Sequence, residues 1–156
     1  MHSIRNHATR PGRSLKMALA ASLLAAASIS APSYAQLPPT QMYGSTEYVS
    51  GGFGLEESTA FKQAMSQFPL ALTFASQVDG KAAYAGDVQA VIRDENDVTV
   101  LNVTSEGPFL LARLAPGTYQ VFATYEGQTQ SRSVTIDASG SARLTFQWDR
   151  PASGAD

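Results

Sequence analysis

Lys62 and Lys81 are the only side-chain amines beyond residue 35 that could activate a hydroxyl nucleophile, because His2 and His7 lie near the N-terminus and the chain has no cysteine. A serine or threonine nucleophile needs such a base. Neither lysine stands in a serine-x-x-lysine arrangement: Lys62 falls in an amphipathic run and Lys81 follows Asp79-Gly80. Both read as solvated lysines whose stems lie along the surface. Glycoside hydrolysis asks only for two carboxyl groups flanking the scissile bond, and Asp87, Glu106 and Glu126 are the candidates. Acids at strand ends and turns are common surface residues, so these three read as surface charge.

Glu56 and Glu57 open the helical stretch, where the dipole favours negative charge and lowers a carboxyl pKa, the wrong direction for a general acid. They read as helix-capping residues. Asp94-Glu95-Asn96-Asp97 offers oxygen ligands for calcium but lacks the length and spacing of a calcium loop, so a polar β-turn is expected there. Asn102-Val103-Thr104 spells a glycosylation acceptor, but it falls in mid-strand. Gly51-Gly52-Phe53-Gly54 before a helix would suit an anion, were it not for the two glutamates that follow; a flexible joint with Phe53 tucked into the fold is expected. Among the aromatics, Phe109, Phe122 and Trp148 form the candidate ligand or partner surface, since Phe122 falls opposite the apolar face of its own strand. The apolar stripe of the helix is expected to cover Phe122. No catalytic, cofactor-binding or metal residue is expected.

These residues must be positioned by a single helix followed by many strands. Ala60, Phe61, Ala64, Met65 and Phe68 recur at three- and four-residue spacing, which predicts a helix over residues 56–68 ended by Pro69. Short β-patterned runs then cover residues 70–75, 87–93, 98–104, 108–112, 118–126, 128–136 and 142–148. Val88, Ala90 and Ile92 alternate with polar neighbours, as do Leu144, Phe146 and Trp148, so one face of each strand is wet. Turn residues such as Ala115-Pro116-Gly117, Glu126-Gly127 and Ser139-Gly140 fall between them at short intervals, which favours an antiparallel sandwich. Residues 36–50, with Pro38-Pro39, read as a flexible leader, and residues 149–156 as a flexible tail. No internal repeat is evident.

The first 35 residues read as an export signal. Arg5, Arg10, Arg13 and Lys16 precede an alanine- and leucine-rich run over residues 17–29, and Ser33-Tyr34-Ala35 offers a cleavage site. The apolar run is shorter than the roughly 20 residues that a membrane-spanning helix needs, so cleavage near Ala35 and no membrane insertion are expected. Beyond Ala35 seven bases face thirteen acids, a net charge of −6. Such a body, without basic clusters, argues against nucleic acid and against anionic membrane surfaces as partners. About 120 residues suffice for one hydrophobic core without disulfides, so one domain, over residues 51–148, is expected.

The most specific stretch is Leu114-Ala115-Pro116-Gly117-Thr118-Tyr119-Gln120-Val121, followed by Ala123, Tyr125, Glu126 and Gly127. Proline and glycine build a turn, and Tyr119, Val121, Ala123 and Tyr125 then point to one side of the emerging strand. A buried tyrosine must place its hydroxyl on a partner, which would pin the corner. This run resembles the closing half of a carboxypeptidase regulatory-like domain, and residues 86–94 and 98–103 resemble the preceding hairpin of that family. The resemblance covers roughly residues 70–148. It implies an all-β fold, an antiparallel seven-stranded transthyretin-like β-sandwich, here with one short N-terminal helix as an added element. It also implies a domain that is not itself catalytic and that occurs beside catalytic domains, in outer-membrane receptors or alone in the envelope. The expectation is a non-catalytic periplasmic or secreted binding module of the bacterial cell envelope that binds an envelope protein, with a glycan or cell-wall ligand as the alternative and a carboxylate-only hydrolase behind both.

Overall fold

The chain divides into two compact units, Met1–Pro32 and Ser33–Asp156, and the computed structural model describes Gly12 and residues 36–150. The expected export signal, apart from Gly12, with its expected cleavage site near Ala35, and residues 151–156 lie outside the described residues. Ten strands and one helix are present among those described. Their order is β1 (Gln41–Tyr43), β2 (Thr46–Gly51), α1 (Leu55–Ala64) running into a 3-10 turn (Met65–Gln67), β3 (Leu70–Val78), β4 (Lys81–Tyr84), β5 (Val88–Arg93), β6 (Thr99–Ser105), β7 (Phe109–Ala112), β8 (Gly117–Tyr125), β9 (Gln128–Ile136) and β10 (Ala142–Arg150).

The strands form two sheets, sandwich-like in arrangement. The larger runs β1-β2-β7-β3-β10, with β4 continuing the line of β7 along one side of β3; the smaller runs β6-β5-β8-β9. Between them lies the main core, built from Leu70, Leu72 and Phe74 of β3, Val88, Ala90 and Ile92 of β5, Val121 and Ala123 of β8, and Phe146 and Trp148 of β10. A second core forms on the far side of the larger sheet, where Phe61, Ala64, Met65 and Phe68 pack on Val49, Ala71, Phe109 and Leu111. This double burial explains the run Phe109-Leu110-Leu111-Ala112, in which all four residues are buried. Its odd members meet the helix and its even members meet the opposite sheet.

Three expectations are corrected. Residues 36–50 are not a free leader: β1 and β2 form a hairpin, β2 pairs with β7, and Tyr48 and Val49 are buried. The sheets are not wholly antiparallel, because β10 runs parallel to β3 over its whole length, from Ala142 beside Leu70 to Arg150 beside Val78. Parallel and antiparallel strands share the same two-residue alternation, so the pattern of β10 carries no sign of its direction. Asp149 and Arg150 accordingly belong to β10 rather than to a tail.

Helix α1 also packs elsewhere than expected. It covers the larger sheet and leaves the Phe122 face of the smaller one open. Its first turn is tied back by Glu57, whose Oε1 accepts the Gly52 N–H at 2.8 Å; that donor precedes the helix, and the N-cap, Gly54, has no side-chain cap hydrogen bond. At the other end Ser141 Oγ lies 2.9 Å from the Met65 carbonyl and 2.8 Å from that of Phe68, sharing one proton between two helix-terminal acceptors. Close backbone approach fixes the link from β2 to α1. Gly107 touches the backbone of Gly51, and Gly52, with φ of 102°, lies against the Phe109 ring, so a side chain at either position meets atoms already there.

Candidate interaction surface

The aromatic candidates separate cleanly. Phe109 is 1% exposed and stacks on Phe61, with centroids 5.7 Å apart. Trp148 is 2% exposed, tilts against Phe74 and Tyr125, and donates its indole N–H to the Gln128 carbonyl at 3.1 Å. Neither is available as a ligand surface; both are packing. Phe122 alone stays partly open, on the outer face of the smaller sheet between Val91 and Ser131. The Arg93 guanidinium lies 5.4 Å from its ring centroid, and Asn102 and Gln89, bonded to each other at 3.3 Å, share the same face.

The other candidates find structural uses. Asp94 Oδ1 accepts the N–H groups of Asn96 and Val98, both at 2.9 Å, and Asp97 meets Arg93 at 3.3 Å. The tetrapeptide is thus a β-turn closed by its own first side chain. Asp87 precedes β5 and hydrogen-bonds through its N–H to Ser105 O, next to Glu106, while Glu126 stands in the turn between β8 and β9. Among the described residues no group of three or more His, Cys, Asp or Glu is placed to hold a metal. Tyr119 holds its corner as expected: it is buried, and its hydroxyl donates to the Ala115 carbonyl at 2.7 Å. Burial, and then the charges of Asp94 and Glu95, push its phenol above the ordinary tyrosine value.

What sequence reasoning missed is the corner around β4. All four residues of Lys81–Tyr84 are exposed, and β4 pairs with β3 on one side only. Ala85 N–H bonds to the Phe74 carbonyl at 3.1 Å. By the alternation of an antiparallel ladder, Lys81 and Ala83 therefore also turn their backbone groups to β3, and Ala82 and Tyr84 turn theirs outward. Five large apolar side chains are exposed among the described residues, namely Met42, Phe53, Leu55, Tyr84 and Val98. Two of them, Tyr84 and Phe53, border this edge. Tyr84 leans on Phe109 at 5.5 Å with Lys62 over its ring at 5.9 Å. Phe53 lies over Gly86, two residues further on, and is 55% exposed rather than tucked in. Leu55 opens the helix just after it, 83% exposed. A shallow depression of about 350 Å³ lined by Ala75, Ala82, Ala83 and Tyr84 completes the surface.

Two other sheet edges close on each other, and a third is held at one end. β9 and β10 face one another across the sandwich and are stitched by Gln130 Nε2 on the Gln147 carbonyl at 2.7 Å and by Trp148 on Gln128. The end of β6 is tied to β2 through Ser50 Oγ, which accepts the Glu106 N–H at 3.1 Å. β1 is three residues long and pairs with β2 on its inner side.

No protein-family model matches the chain. No curated protein matches it in sequence either.

Proposed function

We propose that this chain is a non-catalytic binding module of the bacterial cell envelope, exported and cleaved near Ala35, that takes up an extended polypeptide segment alongside β4. One observation carries this reading: the open edge of β4 coincides with two exposed large apolar side chains, Phe53 and Tyr84. An unpaired edge supplies main-chain hydrogen bonds to an added strand, and neighbouring apolar groups supply the side-chain contacts that select it. The transthyretin-like, carboxypeptidase regulatory-like kinship belongs to the same proposal. Its support is the proline-glycine turn and the Tyr119 corner, on a two-sheet scaffold extended by the β1–β2 hairpin and α1.

The test uses two variants and one control. Ala82→Pro removes an outward N–H that the fold does not use, and Tyr84→Asp puts a charge in the apolar patch. Each is expected to lower at least tenfold the retention of any polypeptide that the immobilised parent protein recovers from an extract of its own cell envelope, while Phe122→Ala leaves that retention unchanged. Loss with Phe122→Ala alone would favour a second reading, in which a glycan stacks on the open face carrying Phe122, Arg93 and Asn102.

A further inference from the structure

The geometry points to a second copy of this chain as the strand that pairs with β4, forming a two-fold symmetric dimer with one sheet continuous across both β4 edges. This inference rests on the proposal that β4 is the binding edge, and it names the partner. Antiparallel pairing brings outward-facing residues opposite outward-facing residues. With Ala82 and Tyr84 outward, the register that uses both residues of both copies sets Ala82 opposite the second copy's Tyr84. Four main-chain hydrogen bonds then form, and Ala83 meets the second copy's Ala83 on the two-fold axis. A symmetric contact of this kind must be self-complementary. About the central Ala83 it sets the large Tyr84 of each copy against the small Ala82 of the other, and it brings Asp79 opposite the second copy's Asp87, with Lys81 two residues from Asp79 on the same strand.

Side-chain directions and charge agree with that register. Tyr84 lies beside Ala75 and Ala82 beside Gln77, both on the helix-covered face of the larger sheet. Each tyrosine ring would therefore cover the second copy's Ala82 methyl group on that face. Beyond residue 35 the chain carries a net charge of −6, which opposes self-association over most of its surface. Both of its lysines in that region, Lys62 and Lys81, flank this edge. They offset part of the negative charge that Asp79, Asp87 and Glu106 place there. The same pairing carries the Lys81 end of one strand to the Asp87 end of the other.

The absence of cysteine makes the test direct. Ala83→Cys places one thiol on each side of the axis at a non-hydrogen-bonded pair, where Cα atoms are about 4.5 Å apart, within reach of a disulfide. Protein expressed as the full chain and purified is expected to oxidise to a covalent dimer with Ala83→Cys and to do so far more slowly with Thr104→Cys on the opposite sheet. Sedimentation equilibrium of the unaltered protein is expected to show dimer growing with concentration, weakened at least tenfold by Ala83→Glu. Should Ala83→Glu not fold by circular dichroism, Ala82→Pro replaces it. A monomer at every concentration, with Ala83→Cys oxidising no faster than Thr104→Cys, overturns the inference. If that monomer still binds an envelope protein in a Tyr84-dependent way, the edge serves a foreign strand and the proposed function stands; if it does not, both fall.

Discussion

Tyr119 shows how one side chain carries a local fold and leaves a mark on its pH response. Its phenol is buried with its proton donated to the Ala115 carbonyl, and burial together with Asp94 and Glu95 raises its pKa. The native state therefore holds this proton more tightly than the unfolded chain does. The resulting stability is fully present below about pH 10, the unfolded value, and is lost as pH rises through the higher native value. Tyr119→Phe is expected to cost about 1 kcal/mol near neutrality through the lost hydrogen bond and to flatten the alkaline decline. Urea midpoints measured from neutral to alkaline pH check both. A variant that declines with pH as steeply as the parent would remove Tyr119 as the cause. At this scale the sequence was informative about Tyr119, whose turn and alternation were visible, and misleading about Phe109 and Trp148. Their burial depends on which element lies across from them, and no local pattern encodes that.

Among the elements, the seven strands read from β-patterned runs are all present, whereas the three missed strands each lack such a signal. β4 is Lys-Ala-Ala-Tyr, with no β-branched residue and no buried face. β1 and β2 lie behind Pro38-Pro39, and β2 is buried on both faces, with Tyr48 turned to one core and Val49 to the other. The same double burial places α1, whose partner face on β7 and β3 was hidden inside continuous apolar runs. Phe61→Ala, which empties the stack on Phe109, is expected to cost about 3–5 kcal/mol. Gly107→Ala would press a methyl group into the Gly51 backbone, and is expected to cost about 1–3 kcal/mol. Thermal or denaturant unfolding reads both. If Gly107→Ala were neutral, the close crossing of the β2–α1 link over the β6–β7 turn would not be a constraint on the fold.

Across the whole molecule, the edges decide what the fold can do. β9 and β10 are closed by side chains of Gln130 and Trp148, and β6 is tied to β2 through Ser50. The β4 edge stays open beside Phe53 and Tyr84. An open edge of this kind was legible in the sequence only as a general property of sandwiches, because an edge exists only once the strand order is known. The most direct measurement is photo-crosslinking in intact cells, with a photoreactive amino acid placed in turn at positions 82, 84 and 122. Adducts to a polypeptide from positions 82 and 84, and none from 122, are the expected result. Adducts confined to position 122, or none at 82 and 84 while the protein is folded and in the envelope, would contradict binding at the β4 edge.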